Sequence, residues 1–216
     1  PEGILSAVRA GQTLVDHGTT GIALTQELAR RAESLGARLL DAPISGGVAG
    51  AEAATLSIMV GGDRQVFEAH GQLFQAIGKT IRYVGPSGSG QALKLANQLL
   101  VIVHQLAAVE AFALAEKAGV SADVFGEIIP NSWGQSRMLE LILPRLVKRS
   151  FGDSGPSLWS KDEQLIEEAA AGLHQPIPML QAARKLLDQG IAAGLGMADL
   201  AAALQIYEAG SGGPAA

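Results

Sequence analysis

Gly88-Ser89-Gly90-Gln91-Ala92-Leu93-Lys94-Leu95-Ala96-Asn97-Gln98 is the stretch on which the fold of this chain turns. Its glycines permit a tight turn that other groups can approach closely, and the apolar run behind them predicts a helix over 91–118. Lys94 falls about one turn into that helix, with Asn97 at i+3 and Gln98 at i+4, so the three polar heads share a face. The neighbours Leu93, Leu95, Ala96 and residues 99–103 are apolar. That pattern predicts a helix greasy nearly all round and buried in a domain interior. Two readings fit the lysine. Desolvation lowers a lysine pKa from roughly 10.4 and makes a proton shuttle of it. More commonly, such a lysine lays its stem on apolar surface while its ammonium reaches water.

Upstream of this stretch, helical and strand-like patterns alternate. Residues 4–8 read as a short helix, 13–16 as a strand, and His17-Gly18-Thr19-Thr20-Gly21 as the turn after it. Leu24, Leu28, Ala32 and Leu35 have helical spacing that stops at Gly36, a C-cap signal. Residues 37–40 read as a second strand followed by the loop Asp41-Ala42-Pro43-Ile44-Ser45-Gly46-Gly47. A third strand over 56–60, a helix over 64–77 and a last strand over 80–84 complete the series. This alternation predicts an α/β layer with parallel strands, whose ligands bind at the carboxyl ends of the strands. Downstream, Ala/Leu-rich helices take over: 122–129, 136–148, 158–171, 178–189 and 198–208. The boundary falls near Pro86. The expected organisation is therefore an α/β part over 1–86, an all-helical part over 87–209 and a flexible tail over 210–216.

The bulk numbers exclude several classes. A formal net charge of -5 offers no basic stripe for nucleic acid. With no cysteine, disulfides and thiolate chemistry are out. His17, His70, His104 and His174 lack metal-ligand spacing, so no metal is expected. The longest uncharged apolar stretch, 95–109, contains polar residues and falls short of the ~20 apolar residues of a membrane span. No signal peptide is visible. These features point to a soluble cytoplasmic protein. The opening Pro1-Glu2-Gly3 has no initiator methionine, and the chain reads as a fragment or processed chain.

Several short motifs have both a chemical and a structural meaning. Ser45-Gly46-Gly47 can clamp a carboxylate through backbone N–H groups and a hydroxyl, or merely turn the chain. Thr19 or Thr20 can serve a ligand loop, or cap the helix near Leu24. In Lys161-Asp162 the acid is explained by a helix N-terminus alone, and Asp199 likewise. Asn131-Ser132 is a candidate cap. Trp133 and Trp159 read as core or interface anchors.

Taken in order, these segments resemble the β-hydroxyacid dehydrogenase family, which includes 3-hydroxyisobutyrate dehydrogenases and tartronate semialdehyde (2-hydroxy-3-oxopropionate) reductases. Its D-x-S-T-like turn is matched by Asp16-His17-Gly18-Thr19, and its D-x-P-x-S-G-G loop by residues 41–47. Its M-V-G-G strand end is matched by Met59-Val60-Gly61-Gly62, and its G-x-G-x-x-x-K-x-x-N by residues 88–97. Its K-D pair is matched by Lys161-Asp162, and its closing helix by Gly196-Met197-Ala198-Asp199. Lys94-Leu95-Ala96-Asn97-Gln98 looks closest to the tartronate semialdehyde reductase branch.

The resemblance implies the C-terminal half of a Rossmann-type domain, then a helical domain built around a long helix. It implies an NAD- or NADP-dependent oxidoreductase that interconverts a small 3-hydroxy acid and its semialdehyde. Lys94 would be the general acid/base, with Asn97, joined by Gln98, orienting it and the substrate oxygen. Ser45, Gly46 and Gly47 would hold the substrate carboxylate, and Thr19 and Lys161 would contact the cofactor. There are two departures. Gly18 stands where serine is commoner, and no G-x-G-x-x-G follows a strand near the N-terminus, so the pyrophosphate contacts are missing. These residues alone are expected to bind cofactor poorly, to leave an exposed edge strand and to be inactive. Two alternatives are a non-catalytic relative serving as an oligomerisation or interaction module, and another reductase on the same scaffold, such as an imine reductase. Lys94 with Asn97 speaks against both. The apolar surface of the long helix predicts a homodimer or homotetramer through the helical part.

Overall fold

The computed structural model describes residues 3–152 and 160–210. Trp159, the start of the helix expected at 158 and the tail beyond Gly210 lie outside the described residues. The chain divides into two compact units, Pro1–Asn97 with Glu168–His174, and Gln98–Glu167 with Gln175–Ala216.

In the first unit, a 3-10 turn over Ile4–Ala7 replaces the short helix expected there. Strand β1 (Thr13–Asp16) leads through a loop into helix α1 (Ile22–Ser34). That helix ends where the sequence says it should. Gly36 adopts φ +73°, its N–H bonds to Glu33 O at 2.9 Å, and the next N–H, of Ala37, bonds to Ala32 O at 2.9 Å. This pair of bonds closes the last turn, and the positive φ favours glycine. Strand β2 (Arg38–Asp41) then lies parallel to β1, from Thr13↔Arg38 to Asp16↔Asp41.

Beyond Asp41 the structure departs from an all-parallel sheet. Short strand β3 (Ile44–Ser45) and helix α2 (Gly47–Glu52) occupy what read as a plain loop. Strand β4 (Leu56–Gly61) returns antiparallel, with Asp41↔Gly61, Ile44↔Ile58 and Ser45↔Ser57 all in one register. Residues 41–45 thus form one extended run along β4, helped by the Met59 N–H bond to Pro43 O at 3.1 Å. The connection over 46–55 holds only the short α2, less than the dozen or so residues that a parallel crossover needs. Helices α3 (Arg64–Ala69) and α4 (Gly71–Gln75) do make a crossover, and β5 (Gly78–Gly85) pairs parallel with β4. The single helix expected over 64–77 is interrupted at His70, whose ring Nδ1 lies 2.8 Å from Val66 O, just before the poor helix former Gly71. The sheet is therefore mixed, in the order β1-β2-β4-β3 with β5 on β4. Leu40, Ala42, Leu56, Ile58, Val60 and Phe74 form its buried core.

Helix α5 (Ser89–Lys117) is a continuous helix of 29 residues that begins in the first unit and runs on into the second. By length and composition it would pass for a membrane span. It is not buried all round as expected. Leu95, Ile102, Leu106, Val109 and Phe112 are buried, whereas Leu93, Leu100 and Leu114 are exposed.

In the second unit, α6 (Ala122–Ile128) and α7 (Arg137–Lys148) are N-capped by Ser121 and Ser136, whose Oγ atoms accept from Val124 and Leu139 N–H. Asn131 and Ser132 do cap a helix, at its carboxyl end. Their side chains donate to the Glu127 and Ile128 carbonyls and so close the end of α6. Helix α8 (Lys161–Gly172) and helix α9 (Pro178–Ala192) follow, the latter with proline in its first turn, where no N–H is missed. The last segment is a 3-10 turn over Leu200–Ala203, capped by Asp199, leading into α10 (Leu204–Gly210). Phe112 and Phe125 meet edge to face at 5.2 Å in the core of this unit. Trp133 is not a core anchor: it is 106% exposed.

Candidate active site

Asp41, the last residue of β2, sits at the centre of the first unit's candidate site. Because β1 and β2 are parallel, their carboxyl ends lie side by side, the position where ligands of α/β sheets bind. Asp41 is 0% exposed. Its Oδ1 accepts the Gly88 N–H at 2.9 Å and its Oδ2 the Gln91 N–H at 3.0 Å. N–H groups at a helix start lack partners within the helix, and a carboxylate there is also favoured by the helix dipole. Burial pushes the Asp41 carboxyl above its ordinary range, while backbone N–H groups of Gly88, Gln91, Asp41 and Gly90 pull it back without cancelling the effect.

Two glycines make this seating possible. A Cβ on Gly90 would lie 2.4 Å from Met59 O and 2.7 Å from Asp41 O, and one on Gly61 would lie 2.6 Å from Asp41 Oδ1. No side chain fits in either place, so the start of α5 rests directly on the ends of β2 and β4.

The loop after β1 is tied to the same point. Gln91 is 0% exposed; its Oε1 accepts the Thr20 N–H at 3.0 Å and its Nε2 donates to Gly18 O at 2.9 Å. Gly18 N–H bonds to Asp16 Oδ1 at 2.8 Å, Ala42 N–H to Asp16 O at 2.7 Å, and the His17 ring Nδ1 lies 2.8 Å from Ala42 O. Thr20 does not cap α1. Gly21 is the N-cap without a side-chain bond, and the Thr20 hydroxyl pairs instead with that of Thr25 at 3.0 Å. Loops 16–20 and 41–43 and the first turn of α5 therefore form one hydrogen-bonded piece.

Lys94 follows on the next turn of α5 and is 8% exposed; Asn97 is half-buried. Ser45 ends β3, half-buried, and Gly46 and Gly47 open α2 with φ +142° and +63°. A Cβ on Gly46 would press on Leu56 Cδ2 at 3.0 Å, whereas one on Gly47 would meet open space. Both glycines are favoured by their positive φ, and at Gly46 a side chain would also press on Leu56. Thr19 lies half-buried in the loop after β1. These six nominated residues belong to the first unit, and Gln98 and Lys161 to the second.

Lys161 is exposed at the start of α8. Gln98 Nε2 donates to Asp162 Oδ2 at 2.5 Å, with both side chains buried, so the amide ties α5 to α8. Asp162 is accordingly more than a dipole-favoured surface acid. Next to it, Glu163 is buried 3.0 Å from Arg184; burial pushes its carboxyl up, and the guanidinium opposes that. Asp199 caps its 3-10 turn and also pairs with Arg145.

A cavity of about 620 Å³ in the first unit, lined by Gln26, Arg30, Glu33, Arg38, Asp63 and Ser87 among others, includes none of the nominated residues. What sequence reasoning missed is Asp41 as anchor and Gln91 as clamp. The available signal was the pair of glycines, 61 and 90, which leave room for neither residue's own side chain at a crowded junction.

Comparison with known proteins identifies the two segments separately. Residues 1–85 match the family model described as the NAD binding domain of 6-phosphogluconate dehydrogenase. Residues 88–207 match the one described as NAD-binding of NADP-dependent 3-hydroxyisobutyrate dehydrogenase. The chain is 36% identical over 210 residues to 2-(hydroxymethyl)glutarate dehydrogenase of Eubacterium barkeri, covering 96% of this chain and 70% of that one. It is 37% identical over 207 residues to 2-hydroxy-3-oxopropionate reductase of Escherichia coli, covering 95% and 71%. The solved structure of 3-hydroxyisobutyrate dehydrogenase from Salmonella typhimurium superposes with a TM-score of 0.87 at 29% identity, covering 94% of this chain and 72% of that one. The mixed sheet, the long helix after it and these matches together place the chain in the β-hydroxyacid dehydrogenase family, whose members are oxidoreductases that use NAD or NADP.

Proposed function

We propose that this chain carries the proton-transfer and substrate-binding residues of a dehydrogenase that interconverts a small 3-hydroxy acid and its semialdehyde. The observation that carries the proposal is Lys94, a buried lysine one turn behind a helix start that Asp41 seats at the carboxyl ends of β2 and β4. A lysine ammonium largely withdrawn from water is suited to exchange a proton with a substrate oxygen that changes its proton count. Lys94 Nζ gives a proton to the carbonyl oxygen in reduction and takes the hydroxyl proton in oxidation. Asn97, one turn on, orients the lysine and that oxygen, and Gln98 supports the same face from its bond to Asp162. Ser45, Gly46 and Gly47 hold the substrate carboxylate. Thr19 and Lys161 touch the cofactor, which when bound accepts or delivers the hydride. The half-buried loop of Thr19, at the carboxyl end of an edge strand, fits one side of such a ligand.

The pyrophosphate side is different, because these 216 residues contain no G-x-G-x-x-G after a strand. We therefore infer that the chain by itself binds the cofactor poorly and is inactive. Residues 1–86 serve the cofactor side, 87–209 the substrate and assembly, and the protein works in the cytoplasm as a homodimer or homotetramer. Support for assembly comes from Leu93, Leu100 and Leu114, exposed on α5 at seven-residue multiples. The relatives at 36% and 37% identity carry different substrate names, so identity does not choose the acid.

The test is Lys94→Ala in a protein that carries a dinucleotide fingerprint ahead of these residues, assayed with 3-hydroxy acids and their semialdehydes. Turnover is expected to fall by ~10²–10⁴-fold with the fold intact. Retention of most of the activity would falsify the assignment.

A further inference from the structure

Gln91 has no part in the chemistry proposed for Lys94, yet its side chain is among the most enclosed polar groups of the first unit. Burying an amide without partners is costly, and here both ends are used. Oε1 takes the Thr20 N–H at 3.0 Å and Nε2 gives to Gly18 O at 2.9 Å. This orientation is fixed by the partners, since a flipped amide would set N–H against N–H and oxygen against oxygen. The backbone N–H of the same residue goes to Asp41 Oδ2. One residue thus joins the loop after β1, the end of β2 and the helix that carries Lys94.

We propose that Gln91 is a positioning residue, a bolt that holds the loop of Thr19 and the helix of Lys94 as one rigid piece. The inference rests on the reading of Lys94 and Thr19 given above. In hydride transfer the proton donor and the hydride must reach adjacent atoms of one substrate together, and a misplacement of about 1 Å can cost ~10²-fold in rate. Lys94 and Thr19 sit on different elements, far apart in sequence. Gln91 ties the loop to the start of that helix, while the Gly18 N–H and the His17 ring tie it to Asp16 and Ala42. A shorter side chain would not reach both loop groups, and an apolar one would leave Thr20 N–H and Gly18 O unpaired. A glutamate presents the acceptor for Thr20 but faces the Gly18 carbonyl with a second oxygen. Only when protonated does it reproduce the donor.

Amide hydrogen exchange on the full 216-residue chain tests the tie without any activity. In Gln91→Met, which keeps length and bulk, the Thr20 amide and its loop neighbours should exchange roughly tenfold faster, while Leu40 and Val60 in the strands are unchanged. In Gln91→Glu, protection of the loop, corrected for intrinsic rates, should return as pH falls. Unchanged exchange at Thr20 in Gln91→Met overturns the proposal. Should that variant unfold, a pH-independent loop in Gln91→Glu overturns it instead. In a protein that carries the fingerprint, Gln91→Met should lower kcat by ~10-fold to ~10²-fold and leave the hydroxy-acid KM within about twofold. An unchanged kcat overturns the positioning role. Lys94→Ala tests the chemistry through turnover, whereas loop exchange in Gln91→Met is read without any activity, so the two ideas fail separately.

Discussion

A carboxylate with two oxygens can satisfy two separated N–H donors, and Asp41 uses both. Its replacement by asparagine keeps the shape but offers one acceptor, so either Gly88 or Gln91 loses its partner and meets an N–H₂ group. Asp41→Asn should therefore cost about 1–3 kcal/mol at neutral pH, measured by urea unfolding. The pH dependence has a definite sign. Burial raises the Asp41 pKa in the fold, so as pH rises the unfolded chain releases its proton first. Stability from this group then falls with rising pH between the ordinary aspartate value and the raised one. The advantage of wild type over Asp41→Asn should grow as pH drops through that window. A shrinking advantage would mean that the carboxylate is favoured, not penalised, by its surroundings.

Among the elements, α5 is positioned by what is missing at its start. Gly90 allows the helix to touch Met59 O and Asp41 O, and a methyl group there would overlap backbone atoms that cannot move aside independently. Gly90→Ala should destabilise the first unit by about 3 kcal/mol, the upper end for overpacking, although alanine is the better helix former. A thermal melt no lower than wild type would show that the helix start can lift off the sheet. The same helix also shows how far its pattern could be read. Its length and the placing of Lys94 follow from the sequence, but uniform greasiness hid which side faces inward. Leu95 and Ile102 are buried, and Leu93 and Leu100 are not. We expect Leu100→Glu to lower the mass seen by light scattering if the exposed line is an assembly surface, with the fold unchanged by circular dichroism. An unaltered assembly would remove that line from the interface.

At the scale of the molecule, β1 is an edge strand, paired only with β2 among the described strands, and its following loop carries the proposed cofactor contact. The pyrophosphate of a dinucleotide is ordinarily held by a glycine-rich turn at a helix N-terminus. None stands before β1 in this sequence. Titration calorimetry of the 216-residue chain with NADPH and NADH should show no micromolar binding, and micromolar binding to either would overturn the inferred inactivity.

The sequence by itself determined four strands of the first unit to within two residues, the long helix that carries Lys94, the Gly36 helix stop and the family. Each rests on local chemistry or short periodicities: a positive φ that favours glycine, a helical stripe, an ordered set of motifs. Tertiary structure decided the rest. It turned 41–45 antiparallel onto β4, because the following segment is too short for a crossover, and it exposed Trp133, which hydrophobicity alone would have buried. It also made Asp41 and Gln91 the anchors of the site. Their hydrogen-bond partners lie up to 50 and 73 residues away along the chain, a distance at which no local pattern leaves a trace.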